Sequence, residues 1–232
     1  QLDTLKYRIM MPKNFDVAKQ YPIVLFLHGA GERGNDNKAQ LIHGNSLFAS
    51  KKNRKKFPAI VVFPQCPTGS YWAKVNIDRT SYPLKIEFPE NTKPTKPMEL
   101  VIKLMEDLAS KSYVNKNQIY VGGMSMGGMG TFEILARKPK MFAAAIAICG
   151  AGNPNLSKNY AKSTPLWVFH GAKDNVINPQ ESIKMVSGIL KYGGKPNFSL
   201  YAKDNHNSWD TAFAEPNLLS WLFSNNKTSK NE

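Results

Sequence analysis

Short apolar runs alternate along the chain with segments whose apolar residues recur every three or four positions. The runs indicate buried strands, the recurring segments indicate amphipathic helices, and their alternation is typical of a mostly parallel sheet flanked by helices. The predicted strands are 5–10, 23–28, 60–63, 119–122, 143–149, 166–170 and 198–201. The predicted helices are 98–113, one that contains 132–137, 180–192 and 218–223. We therefore expect a single α/β domain over residues 1–232, a sheet of about eight strands, and a frayed polar tail at 225–232.

One loop between a predicted strand and a predicted helix reads Gly-Met-Ser-Met-Gly, residues 123–127. In a Gly-x-Ser-x-Gly elbow the serine occupies a sharp, strained turn, and side chains at the glycine positions would collide with neighbouring backbone. The turn also places the N–H of Met126 at a helix N-terminus, where it can bind a developing oxyanion. Ser125 is therefore the candidate nucleophile, and Met126 is a candidate oxyanion donor.

The candidate base follows from chain order, because hydrolases with this elbow carry the nucleophile first, then an acid, then a histidine. Of the four histidines, only His170 and His206 follow Ser125. The sole acid between Ser125 and His170 is Glu133, which lies on the helix leaving the elbow, so His170 lacks a usable acid. We therefore predict a structural role for His170 at the end of a buried strand, and assign the base to His206.

The acid is identified by elimination among Glu133, Asp174, Glu181 and Asp204. Glu181 begins a predicted helix, and Asp204 is only two residues from His206, which makes it a poor orienting partner. Asp174 lies just past the strand 166–170, at the carboxyl end of the sheet, where such sites are built. We predict that Asp174 orients the imidazole of His206 and stabilises the imidazolium.

A glycine-rich loop, residues 29–34, follows the strand 23–28. As Gly-x-Gly-x-x-Gly it matches a dinucleotide fingerprint, but that motif needs a helix at the loop and an acid about twenty residues on, where this chain has a basic run. As His-Gly-x-Gly it matches the loop that supplies the second oxyanion N–H. We expect that donor to be Ala30, with Gly31 as the alternative. Glu32 and Arg33 either brace the loop by an ion pair or reach the substrate.

Several segments together resemble a known family: LHGAGERGNDN, PQCP followed by Trp72, GGMSMGGMG, FHGAKDNVINP and HNSWD. They are similar to the dienelactone-hydrolase-like, phospholipase/carboxylesterase or "predicted peptidase" branch of the α/β-hydrolase superfamily. They also resemble feruloyl and acetyl-xylan esterases of carbohydrate esterase family one. The resemblance extends over residues 21–223. It implies an α/β-hydrolase fold, a Ser125–Asp174–His206 triad, and oxyanion donors at Ala30 and Met126. The mechanism needs no metal or cofactor, because serine, imidazole and backbone donors suffice.

The loops bear on the substrate. The connection 150–165 is too short for a large lid, so we expect an open site. The unusually long connection 64–97 carries several aromatic residues, from which we select Trp72 as a substrate contact. Trp209, near His206, is a second candidate, although it can also position its own loop. We hypothesise a carbohydrate esterase that removes acetyl or feruloyl groups from a polysaccharide.

Composition narrows the choice of partners. Lys and Arg total 31 against 17 acids, a net charge of +14, which suits an anionic polymer. The densest basic run, 51–56, is predicted to be a solvated loop. The sequence contains no nucleic-acid-binding motif and no apolar run long enough to span a bilayer. Cys66 and Cys149 are too few for a disulfide framework, and we expect both to be free. Because the sequence begins with Gln1, we expect a secreted or periplasmic protein whose leader has been removed.

Three rival functions remain open from the sequence. A peptidase, lysophospholipase or general carboxylesterase could use the same three residues. A non-catalytic binder of anionic glycans could retain the fold and the charge. A dinucleotide-dependent enzyme is the third, suggested by the loop 29–34. The oligomeric state is left open.

Overall fold

The computed structural model describes residues 4–90 and 92–227. Its strands are β1 (Tyr7–Met10), β2 (Tyr21–Leu27), β3 (Ile60–Pro64), β4 (Asn76–Asp78), β5 (Lys85–Glu87), β6 (Val114–Met124), β7 (Ala144–Ile148), β8 (Leu166–Gly171) and β9 (Asn197–Tyr201). Its α-helices are α1 (Asn45–Ala49), α2 (Lys51–Lys56), α3 (Lys96–Ser110), α4 (Met126–Arg137), α5 (Pro179–Lys191), α6 (Trp209–Phe213) and α7 (Leu218–Ser224). Short 3₁₀ helices lie at Ala30–Glu32, Ala39–Leu41 and Pro154–Asn159.

Seven strands form the main sheet in the order β1-β3-β2-β6-β7-β8-β9. Only β1 is antiparallel to its neighbour, β3. The mostly parallel sheet is therefore confirmed, with seven strands where about eight were expected. Parallel strands end at one edge, so the loops after β2, β6, β8 and β9 open on the same side of the molecule.

The sheet is buried on both faces, which explains why its strands read as continuous apolar runs. Along β2, Ile23, Leu25 and Leu27 pack into a cluster with α3, α4 and α5, whereas Val24 and Phe26 pack into a second cluster with α1 and α7. The two cysteines are free and buried, as expected. Cys66 lies in the first cluster and Cys149 in the second, so the sheet stands between them.

Parts of the chain differ from the prediction. The connection 64–97 contains the β4–β5 hairpin, and the basic run predicted as a loop is the helix α2, capped by the Ser50 side chain on the Asn53 N–H. Of the tail predicted to fray, Asn225 accepts a hydrogen bond from the Tyr120 hydroxyl at 2.7 Å, and Lys227 donates to the Met141 carbonyl at 3.1 Å. Residues 228–232 lie outside the described residues.

The connection 150–165 holds one short 3₁₀ helix, in line with the expected absence of a large lid there. Among the helices of residues 4–90 and 92–227, none combines the length and the apolar character needed to cross a bilayer.

Candidate active site

The turn between β6 and α4 has the strained geometry expected of an elbow. Ser125 has φ 53° and ψ −118°, in a region that non-glycine residues rarely occupy. A Cβ on Gly127 would lie 1.9 Å from the Leu27 carbonyl oxygen, and one on Gly123 would lie 2.3 Å from the Gly127 carbonyl oxygen. Both contacts are with backbone, so these positions require glycine. Ser125 is thereby held at the carboxyl edge of the sheet, with its hydroxyl in a cleft.

The three residues selected for the triad meet at this edge. Ser125 Oγ lies 2.9 Å from His206 Nε2, and His206 Nδ1 lies 2.8 Å from Asp174 Oδ2. Asp174 follows β8 and His206 follows β9, so two adjacent strands deliver the acid and the imidazole. The other carboxylate oxygen of Asp174 accepts the N–H groups of Val176 and Ile177 at 2.8 and 2.9 Å. This chain of contacts can pass a proton from a hydroxyl to an imidazole whose other nitrogen is fixed by a carboxylate.

His170 lies on the same carboxylate, which the elimination by chain order did not foresee. It is fully buried, and its Nε2 is 3.0 Å from the Ile177 carbonyl oxygen and 3.1 Å from Asp174 Oδ2, while its Nδ1 is 2.7 Å from Ser182 Oγ. The structural role predicted for His170 holds, but the statement that it lacks an acid was wrong. Its position four residues before Asp174, at the end of a strand, was the signal available in the sequence.

Asp174 is held ionised by these contacts. Burial by itself opposes the charged form, but hydrogen bonds from His170 and His206 and the Ile177 N–H outweigh it and hold the pKa of the carboxyl well below its usual range. An ionised Asp174 keeps the proton of neutral His206 on Nδ1, which leaves Nε2 free to accept the proton of Ser125.

Asn205 is a second residue that sequence reasoning missed. Its side-chain oxygen accepts the N–H of Asn175 at 2.9 Å and the N–H of His206 at 2.7 Å. The Lys173 N–H also donates to the Asp204 carbonyl at 2.9 Å. These bonds link the loop that carries Asp174 to the loop that carries His206. Nothing in the sequence indicates them, because they depend on how two separate loops meet.

The loop after β2 is fixed by His28. His28 Nε2 accepts the Cys66 N–H at 2.9 Å, and Nδ1 lies 2.6 Å from the Gly29 carbonyl oxygen, so the ring proton is on Nδ1. Burial is the main cause that lowers the pKa of His28 to about 4, so this imidazole is neutral at ordinary pH. Ala30 and Gly31 follow, and both line the cleft beside Ser125, as does Met126. The N–H of Met126 has no intrahelical acceptor because it lies in the first turn of α4.

Glu32 and Arg33 form no ion pair with each other in the described part of the chain. Arg33 instead braces the loop through backbone: Nε donates to the Ala30 carbonyl at 2.9 Å and Nη1 to the Ser70 carbonyl at 3.2 Å. Glu32 lines the cleft, with Oε1 3.8 Å from His43 Nε2. Its Oε2 is buried and lacks a hydrogen-bond partner among the described residues.

The selection of Trp72 as a substrate contact was wrong. Its side chain is 0% exposed and belongs to the main core cluster, away from the cleft lining. The indole N–H donates to the His28 carbonyl at 3.1 Å, and a Cβ on Gly130 would lie 2.6 Å from Trp72 Cβ. Trp72 therefore packs against the start of the glycine-rich loop and holds it in place. A loop aromatic can point inward or outward, and the sequence does not separate the two.

Trp209 does line the cleft. Its ring meets the His206 ring edge-on at 5.5 Å and the His43 ring at 5.3 Å. It can therefore both hold His206 in place and face a substrate. The cleft has a volume of about 250 Å³. Tyr71 and Arg79 line it as well, and Arg79 Nη2 donates to the Tyr71 hydroxyl at 3.0 Å.

One group of metal-ligating atoms lies within the described residues: Cys149, Asp174 and His206 offer atoms within 4.8 Å of one another. The carboxylate and the imidazole of this group are bonded to each other. Burial, the largest cause, raises the pKa of the Cys149 thiol, which stays protonated. The chemistry of this donor set therefore fits proton transfer better than metal binding.

Comparison with known proteins matches the chain to a family. A family model described as phospholipase/carboxylesterase matches residues 14–216. A solved structure described as a thermostable esterase is 34% identical, with a TM-score of 0.84, and the match covers 95% of this chain and 59% of that one. This chain thus spans less than two thirds of that esterase.

Two related sequences carry different activities in their names. The bifunctional acetylxylan esterase/xylanase XynS20E of Neocallimastix patriciarum is 24% identical over 184 residues, which make up 79% of this chain and 23% of that protein. Lysophospholipase-like protein 1 of Mus musculus is 23% identical over 206 residues, or 86% of this chain and 84% of its own. The two names indicate different substrates, and identities this low assign neither substrate to this chain.

Proposed function

Because the chain belongs to the phospholipase/carboxylesterase family of α/β-hydrolases, we propose that it cleaves carboxylic esters through an acyl-enzyme on Ser125. The observation that carries this proposal is the continuous contact from Ser125 Oγ through His206 to Asp174, at 2.9 and 2.8 Å. Family and structural relatives support an esterase-type hydrolase. The roles of Ser125 as nucleophile, His206 as base and Asp174 as orienting acid are part of this proposal.

In the first half-reaction, His206 Nε2 takes the hydroxyl proton of Ser125 while Oγ attacks the ester carbonyl carbon. The carbonyl oxygen becomes an oxyanion, which accepts hydrogen bonds from the N–H groups of Met126 and Ala30. The tetrahedral intermediate collapses, the bond to the alcohol oxygen breaks, and His206 gives its proton to that oxygen. Water then repeats the sequence on the acyl-enzyme and releases the carboxylic acid and free Ser125.

We further propose that the alcohol is a sugar hydroxyl of a polysaccharide and that the acyl group is of acetyl or feruloyl type. The alcohol leaves beside His206, which protonates it, and this part of the cleft carries Glu32, His43 and Trp209. A carboxylate with spare acceptor capacity, an imidazole and an indole suit a polyhydroxylated group. The similarity to an acetylxylan esterase supports the same substrate class.

Hydrolysis of p-nitrophenyl acetate by the wild type and Ser125→Ala tests the nucleophile. We expect kcat to fall by at least about 10⁴-fold, because serine and imidazole act as a unit. Full activity in the variant would overturn the assignment of Ser125. If both proteins are inactive, the catalytic proposal fails, and binding to anionic glycans becomes the alternative to measure.

Release of acid from acetylated and feruloylated oligosaccharides tests the substrate class. We expect Glu32→Gln to raise KM for an acetylated oligosaccharide more than for p-nitrophenyl acetate, whose leaving group has no second hydroxyl. Efficient cleavage of small esters with no acid released from any acylated glycan would contradict the glycan proposal and leave the esterase intact. Preferential cleavage of a lysophospholipid would favour the activity named for the mouse relative.

A further inference from the structure

The cleft around Ser125 has two chemically different sets of lining residues. One set contains Glu32 and His43 and is connected to His206 through Trp209, whose ring contacts both imidazoles. The other is apolar, and its members pack with one another in a small separate cluster: Ile77, Leu84, Met129, Val176 and Ile177. If the alcohol leaves beside His206, as the proposed function requires, the acyl group lies against the apolar set.

A second cavity of about 410 Å³ lies along the same helix, α4. Phe132 and Ala136, further along that helix, form part of its lining, and Phe88, Ile102 and Leu156 add apolar surface from three other segments. The lining also includes charged and amide side chains, those of Lys74, Glu133, Arg137, Lys138, Asn153 and Asn159. Nothing in the proposed reaction uses this cavity.

Met129 is the one side chain, among the described residues, that lines both cavities. It is 3% exposed, and its N–H donates to the Ser125 carbonyl at 3.0 Å, so it stands one helical turn after the nucleophile. Its buried neighbours in the cluster are few: Ala73, Leu84, Ala151 and Ile177. An unbranched thioether in this position fills the space between the two cavities.

We infer that Met129 is the partition that closes the acyl end of the catalytic cleft against the second cavity and thereby sets the longest acyl chain that the enzyme accepts. This inference rests on the proposed function. With Met129 shortened, the two cavities join, and a linear acyl chain bound to Ser125 can extend toward Phe132 and Ala136. The wild type therefore discriminates against long acyl chains, which favours acetyl over feruloyl among the proposed acyl groups. In the variant, a long chain would lie against the apolar part of the second cavity, formed by Phe88, Ile102, Phe132 and Leu156.

The test compares kcat/KM for p-nitrophenyl acetate, butanoate and octanoate in the wild type and Met129→Ala. We expect the octanoate-to-acetate ratio to rise at least about tenfold in the variant, since a single methylene in an apolar pocket changes discrimination by about 10- to 200-fold. Met129→Leu, which keeps the bulk, should retain the wild-type ratio. Met105→Ala removes an equally buried methionine that lines neither cavity, so its ratio should not change.

A second substitution shows where the chain goes. Ala136→Phe fills the second cavity from α4, so Met129→Ala/Ala136→Phe should lose the octanoate activity gained by Met129→Ala alone. An unchanged ratio in Met129→Ala, or a gain that Ala136→Phe does not reverse, would overturn the inference. If Met129→Ala does not fold, Met129→Val takes its place in the same comparison. Failure of the proposed function is distinguishable, because the wild type would then cleave none of the three esters.

Discussion

At the scale of single residues, the site depends most on Asp174. One of its oxygens faces two imidazoles, those of His170 and His206, and the other accepts two backbone N–H groups. A buried carboxylate is tolerated only when its acceptors are satisfied. His170 is therefore a positioning residue that acts through Asp174.

Replacing His170 by Ala should lower the free energy of unfolding by about 1–3 kcal/mol, because it leaves part of the buried carboxylate unpaired. Urea denaturation at neutral pH measures this change. His170→Gln retains a donor and should recover part of the loss. A His170→Ala protein as stable as the wild type would contradict this role.

His28 predicts a dependence of stability on pH. Its pKa is lowered to about 4 in the folded protein, chiefly by burial, whereas it is about 6.5 in the unfolded chain. The unfolded state therefore binds more protons as pH falls, so the stability that His28 contributes is complete above about 6.5 and is lost between about 6.5 and 4, by about 3 kcal/mol. His28→Asn should show a smaller fall in unfolding free energy over this interval. Equal slopes for the two proteins would contradict the prediction.

The sequence predicted individual residues well where chain order constrained them. Ser125, Asp174 and His206 were selected because one elbow and a required order left few candidates, and the structure brings all three together. Trp72 failed because side-chain direction in a loop depends on packing. His170 was assigned no acid because chain order says nothing about spatial neighbours.

At the scale of elements, the elbow has little room for change. Gly127→Ala should destabilise the protein by about 3 kcal/mol or more, because the new Cβ would lie 1.9 Å from the backbone oxygen of Leu27. Helix propensity alone predicts the opposite sign, a gain of about 1 kcal/mol. Gly69→Ala is the matched control: its Cβ meets no heavy atom within 4 Å, so its effect should stay within about 0.5 kcal/mol. Thermal unfolding of both variants checks this, and a stabilised Gly127→Ala would contradict the geometry.

Burial explains several of the successes and failures of prediction at this scale, although the mostly exposed β1 was predicted as well. The strands β2, β3 and β7 were visible because both of their faces are apolar. The β4–β5 hairpin was missed because its strands are three residues long and mostly exposed. The helix α2 was missed because its six residues, Lys51–Lys56, include no apolar one to reveal a helical period. Its Ser50 cap was the only signal in the sequence.

At the scale of the whole molecule, the net charge of +14 bears on how a polymer approaches the cleft. Secretion and a single catalytic domain stay predictions. If the substrate is an acidic glycan, long-range attraction contributes to its binding, and salt screens that attraction over about 10 Å at 0.1 M and about 3 Å at 1 M.

Raising the salt concentration should therefore increase KM for an acylated acidic oligosaccharide. KM for the neutral ester p-nitrophenyl acetate serves as the control and should change little, since long-range charge does not attract it. Steady-state kinetics at a series of salt concentrations measures both. An identical response of the two substrates would remove the argument from charge and leave the esterase activity untouched.

The central claim is that Ser125 forms a covalent bond to the acyl group. We would label the protein with a fluorophosphonate, which reacts with activated serines, and locate the adduct by peptide mass spectrometry in the wild type and His206→Ala. The account predicts one adduct on the peptide containing Ser125, with loss of esterase activity in proportion to labelling, and little labelling of His206→Ala. An adduct on another residue, or full esterase activity after complete labelling of Ser125, would contradict it.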